Sequence, residues 1–136
     1  MPTGADWVDW WTGEKIESGK VHYLQTPIDR LPIFVRAGAV IPTQSVIQHT
    51  GEMRNATVTL NVVAGIGPQK TEKSALFQDA GDGYGYRSSG WRGIRVEHRS
   101  RTVKIEPVGD FVGQKIEQIE VVGIPQPPRE VRVDGQ

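Results

Sequence analysis

Apolar and polar side chains alternate in steps of two along most of this chain, and no window of about eleven residues carries apolar positions at helical spacing. Thr57-Val58-Thr59-Leu60-Asn61-Val62 alternates, and so does Glu130-Val131-Arg132-Val133-Asp134 near the end. This is the pattern of a strand with one face buried and the other in water. Further strands are expected over Lys20–Gln25, Leu31–Arg36, Lys73–Asp79, Gly93–Arg99, Thr102–Glu106 and Lys115–Val122, each bounded by Gly, Pro, Ser or Asp. With 16 glycines and 9 prolines among 136 residues, this spacing predicts an all-β fold, an antiparallel β-sandwich, rather than alternating strands and helices. A chain of this length buries roughly 70% of its unfolded surface on folding, so a true core is within reach.

One segment departs from simple alternation. Leu31-Pro32-Ile33-Phe34-Val35-Arg36-Ala37-Gly38-Ala39-Val40-Ile41-Pro42 is almost continuously apolar, the pattern of a strand covered on both faces. In a two-layer sandwich the second face meets water, so this strand is expected to need a covering from a partner domain. The polar, aperiodic stretch Thr43–Asn55 reads as a linker or crossover, which divides the chain into residues 1–42 and 43–136.

Charge and composition remove several functions. Lysine plus arginine equals aspartate plus glutamate at 16 each, so no net field draws a polyanion, and nucleic acid is not an expected partner. No apolar run approaches the ~20 residues of a membrane helix, and Met1-Pro2-Thr3-Gly4-Ala5-Asp6 has neither the basic nor the apolar region of a signal peptide. Without cysteine there is no disulfide, thiol nucleophile or thiolate metal site. Locally, Arg87, Arg92, Arg95, Arg99, Arg101 and Lys104 face only Glu97, a basic hairpin that reads first as a solvated strand face and second as an anion or partner site.

Two clusters carry candidate chemistry. Asp6-Trp7-Val8-Asp9-Trp10-Trp11 holds three of the four tryptophans beside two carboxylates. An indole plane can stack on the apolar face of a sugar, but such clusters more often fill a core or a domain interface. Phe77-Gln78-Asp79-Ala80-Gly81-Asp82-Gly83-Tyr84-Gly85-Tyr86 sets Asp79 and Asp82 among three glycines. It lacks the ligand run of a calcium loop and the Gly-Lys-Ser/Thr of a phosphate loop, and turn chemistry explains it most simply. His22, His49 and His98 lie too far apart for a local metal motif, and no serine sits in a Gly-x-Ser-x-Gly frame. Among Asp9, Asp29, Asp79 and Asp82 nothing in the sequence singles out a facing pair of the kind glycoside hydrolysis uses.

Pro2-Thr3-Gly4-Ala5-Asp6-Trp7-Val8-Asp9-Trp10-Trp11-Thr12-Gly13, followed by Pro27-Ile28-Asp29-Arg30-Leu31-Pro32-Ile33-Phe34-Val35-Arg36-Ala37-Gly38-Ala39-Val40-Ile41-Pro42, resembles the region just after the catalytic barrel of glycoside hydrolase family 31, which includes α-glucosidases and α-xylosidases. Phe77–Tyr86 with Gly90-Trp91-Arg92 resembles an aromatic-x-Asp-Asp-Gly turn of the family's distal domain. Ala80 stands where many relatives carry the second Asp, which weakens any ligand role for that loop. The resemblance implies that residues 1–42 end a proximal β-domain and that 43–136 form a distal β-sandwich, both truncated pieces of a larger protein. It implies no catalytic residue in this chain, because the family's nucleophile and acid/base aspartates lie in the barrel. The expected role is therefore non-catalytic support of that barrel in a protein that hydrolyses terminal α-glycosidic bonds with retention, with no metal or organic cofactor. Trp7, Trp10, Trp11, Phe34 and Arg36 are the candidate interface residues.

The alternatives are a free-standing carbohydrate-binding module with Tyr84, Tyr86 and Trp91 as its platform, and a protein-interaction module built on the basic hairpin.

Overall fold

The computed structural model describes residues 1–64, 73–99, 102–124 and 126–133. Among these residues the fold is all-β, with nine strands in three three-stranded sheets. The first sheet contains β1 (Trp7–Asp9), β2 (Lys15–Ile16) and β3 (Phe34–Arg36) in the order β2-β1-β3. The second contains β4 (Val40–Gln44), β5 (Val58–Val63) and β9 (Ile116–Val122) in the order β4-β5-β9. The third is the meander β6 (Lys73–Asp79), β7 (Trp91–Arg99) and β8 (Thr102–Gly109). All pairings are antiparallel except β5 with β9, which is parallel and shifts register between Val58 and Thr59.

The second sheet is the middle layer. On one face Val58, Leu60 and Val62 of β5 pack with Ile94 and Val96 of β7, and Val40, Leu76, Val103, Ile105 and Ile116 close around them. On the other, Val63 packs with Val8 and Val35 of the first sheet, joined by Trp10, Ile33, Ala39, Ile41 and Val122. The two-residue period sends alternate side chains of β5 into opposite cores.

Asn61 lies on the Val63 face, 4% exposed. Its amide donates to the Ile41 carbonyl at 3.1 Å and to Thr43 Oγ1 at 2.9 Å, the satisfaction that a buried amide requires. The strand read as half-buried is thus covered on both sides.

The apolar run 31–42 is not one strand. Only Phe34–Arg36 and Val40–Gln44 join ladders, and a turn separates them, closed by the Ala39 amide on the Arg36 carbonyl. Gly38 has φ +87°, the conformation a type II turn demands at its third position, and its amide donates to the Val63 carbonyl at 2.8 Å. The chain thereby leaves the first sheet and enters the second within three residues.

Two expected strands differ from expectation. Lys20–Gln25 joins no strand ladder among the described residues and lies in the open, with Val21 81% and Tyr23 96% exposed. Residues 130–133 form no ladder, and Asp134 lies outside the described residues. Alternation states which side chains would share a face; it cannot supply the neighbouring strand that makes a ladder. The segment 43–55 holds the end of β4 and a short 3-10 turn, Thr50–Glu52.

Candidate functional site

The candidate interface residues fall into three groups. Trp7 stands directly opposite both Arg36 and Ile16, and Asp9 opposite Phe34. Strand alternation puts these side chains on the face of the first sheet turned away from Val8 and Val35. Trp7, Phe34 and Arg36 therefore share one surface, with Trp7 held by its indole N–H donating to the Pro2 carbonyl at 3.1 Å. Trp10 instead packs into the core between the first and second sheets. Trp11 is half exposed; its indole N–H donates to the Leu31 carbonyl at 2.7 Å, and the Arg30 guanidinium sits 5.7 Å from its ring centre.

The carboxylates of this region are engaged locally. Asp9 Oδ1 accepts from the amides of Trp11 and Thr12 at 2.8 and 3.0 Å, a side-chain turn of the kind Asp readily forms. Asp6 pairs with Lys15 at 3.1 Å. Hydrogen bonding and charge from Lys20 hold the Glu17 carboxyl below its ordinary value. The stabilisation is present above the ordinary carboxylate range and fades as pH falls through the lowered value. Both side chains stand in water, so salt screens it.

Next to this sheet runs an open arm. Val21, Tyr23, Leu24, Ile28 and Leu31 are all exposed, Ile28 completely. Five large apolar side chains of one arm thus stand open to water, and exposed apolar surface of this kind favours association. We expect the isolated chain to associate as its concentration rises, and the double variant Tyr23→Lys/Ile28→Lys to shift it to monomer. Sedimentation velocity across a hundredfold concentration range checks this, and a clean monomer throughout would refute it.

The second cluster lies at the end of the third sheet. Asp79 Oδ1 accepts from the Gly81 amide at 2.8 Å and Asp82 Oδ1 from the Gly83 amide at 2.7 Å, with both glycines at positive φ. Each carboxylate thus holds its own turn. Among the described residues no group of three or more His, Asp or Glu side chains is placed to hold a metal ion. The Arg87 guanidinium lies 4.6 Å from the Tyr84 ring centre, and no ring contact joins Tyr84 or Tyr86 to Trp91. Trp91 stacks instead on Phe77, centroids 5.8 Å apart and planes 15° from parallel. Phe77 opens the second cluster but is not among the expected platform residues; only the ladder sets it opposite Gly93, two residues from Trp91.

The basic hairpin is interleaved with acid. Arg95 stands opposite Glu106, and Glu97 opposite Lys104. Lys104 Nζ reaches Glu106 at 2.6 Å, and this hydrogen bond and charge raise the lysine above its ordinary value. Arg101 and the side chain of Arg99 lie outside the described residues.

The three packed sheets define a layered all-β region with a tryptophan-rich outer sheet. Residues 1–41 match the family model described as the glycosyl hydrolase family 31 C-terminal domain. The chain is 34% identical over 86 residues to an α-xylosidase of Saccharolobus solfataricus, an alignment covering 63% of this chain and 11% of that protein. It is 32% identical over 107 residues to α-glucosidase 2 of Bacillus thermoamyloliquefaciens, covering 77% of this chain and 13% of that protein. The crystal structure of the GH31 α-xylosidase from Xanthomonas citri superposes with a TM-score of 0.77 at 27% identity, over 93% of this chain and 14% of that one. These matches place the chain in the C-terminal region of glycosyl hydrolase family 31, and it spans little more than a tenth of the relatives it matches.

Proposed function

We propose that this chain is a non-catalytic accessory region that supports the catalytic barrel of a family 31 enzyme acting on terminal α-linked sugars by retaining hydrolysis. In this reading residues 1–42 end the proximal β-domain and 43–136 make up the distal one, with β4 straddling the division. The observation that carries the reading is the outer face of the first sheet and its arm, where Trp7 and Phe34 stand half-buried and Tyr23 and Ile28 stand open to water. Apolar side chains held this far into water forgo about 1.5–3 kcal/mol each of burial, and a barrel seated there would recover it. The carboxylates described at this surface are tied to turns or lysines, which suits support rather than chemistry. Trp7, Phe34 and Arg36 contact the barrel; Trp10 and Trp11 brace the strands that carry them.

The chain alone is expected to leave p-nitrophenyl α-glucoside and α-xyloside unhydrolysed. The native reading frame upstream of the Met1 codon is expected to encode a barrel with two catalytic aspartates. Turnover by the purified chain, or an unrelated gene upstream with its own ribosome-binding site, would defeat the proposal.

A further inference from the structure

We infer that Phe77 and Trp91, on the open face of the third sheet, form a stacking site for a pyranose ring of an α-linked gluco-oligosaccharide. The inference rests on the reading above for the class of sugar. On the inner face of the same strands, Ile94 is 1% exposed and Leu76 packs beside it, so the core needs neither aromatic ring. On the outer face Phe77, Gly93 and Val108 stand in one row across the three strands. Gly93 has no side chain, and a Cβ there would lie 3.2 Å from Cζ3 of Trp91. The indole therefore leans over the glycine toward Phe77, whose ring lies 15° from parallel to it.

Covering a strand glycine with an aromatic ring is a stabilising device in its own right. It accounts for Trp91, which is half-buried, but it leaves Phe77 55% exposed, a large apolar ring fixed in orientation and facing water. Around it stand hydrogen-bonding groups: Asp79 opposite Trp91, and Arg95 with Glu106 in the next row. A rigid apolar plane with a polar rim suits a pyranose, whose axial C–H bonds form an apolar face and whose hydroxyls lie at its edge. Tyr84 is a poorer platform, because Arg87 already covers one side of its ring.

The test is titration of the isotopically labelled chain with maltohexaose, followed by two-dimensional amide NMR. Saturable shifts are expected at the Gly93 amide and the Trp91 indole N–H. Phe77→Ala, at an exposed position, should weaken binding about tenfold while core resonances such as Leu60 and Ile94 stay in place, and Phe77→Tyr should retain it. No shift at Gly93 or Trp91 up to 20 mM sugar, or equal binding by Phe77→Ala, would overturn the site and leave the accessory role untouched. Shifts at these positions with cellohexaose but not maltohexaose would overturn the α-linked ligand, and with it the sugar class taken from the proposed function.

Discussion

Leu60→Ala is expected to lower the unfolding free energy by about 2–5 kcal/mol, the range for deleting a large aliphatic side chain from a packed core. Leu60 is 0% exposed, at the centre of β5 and flanked by β4 and β9. It packs with Ile94 and Val96 of the third sheet, and hydrogen-bonded neighbours on both sides hinder collapse around the lost atoms. The expectation extends to cooperativity, because β5 also sends Val63 into the opposite core with Val8 and Val35. Urea unfolding followed by tryptophan fluorescence, which reads mainly the first sheet, and by far-ultraviolet circular dichroism should therefore move together. Val46→Ala, at a position 92% exposed, is the control and should change stability by no more than about 0.5 kcal/mol. A loss under about 1 kcal/mol for Leu60→Ala, well below the range for such a deletion, would contradict the three-layer packing, as would separation of the two probes.

Gly109→Ala should cost about 3 kcal/mol or more, well beyond the usual penalty of left-handed backbone for a residue with a Cβ. Gly109 ends β8 at φ +87°. A Cβ there would fall on the carbonyl oxygen of Trp91, with the Trp91 carbonyl carbon at 3.2 Å and Arg92 Cα at 3.3 Å. These are backbone atoms that no rotamer change can move aside. The same oxygen accepts from the amides of Asp110 and Phe111, so displacing it strains the strand start and weakens both bonds.

Gly81→Ala and Gly83→Ala separate the two causes. Both glycines have φ near that of Gly109, 72° and 74°, but a Cβ at either meets nothing within 4 Å. Each should lose only about 1–2 kcal/mol, the conformational part alone. Equal denaturation midpoints for Gly109→Ala and Gly81→Ala would show that the close approach at Trp91 contributes nothing. Because Trp91 carries the stacked pair, Gly109→Ala should also blunt the sugar-induced shifts, whereas Gly81→Ala should leave them unchanged.

Legibility differed from residue to residue. Lys73–Asp79 is a strand over the expected span, and Ile94 and Val96 are buried where alternation set them, with Arg95 on the opposite face and exposed. These follow from local physics: a two-residue period and the turn residues at its ends. Lys20–Gln25 has the same period and forms no ladder, because pairing is a property of two segments and alternation describes one.

Tryptophan spacing brought out the cluster at residues 7–11, but adjacent residues on one short strand and its turn point different ways. Only the sheets decided that Trp7 faces outward with Phe34 and Arg36 while Trp10 faces the second core. Phe77 became a partner of Trp91 because the register of β6 on β7 set it opposite a glycine that the indole could cross.

By itself the sequence determined the all-β class, the family resemblance through residues 2–42, and the absence of thiol chemistry. Each is carried by residue identity or by order along the chain. Tertiary structure alone decided that β5 is the strand most deeply covered on both faces, that the apolar run 31–42 divides between two sheets with Val40 and Ile41 reaching opposite cores, and that β9 joins β5 in parallel. All depend on which strands become neighbours in space, and a contact between residues 58–63 and 116–122 leaves no periodic trace in either segment.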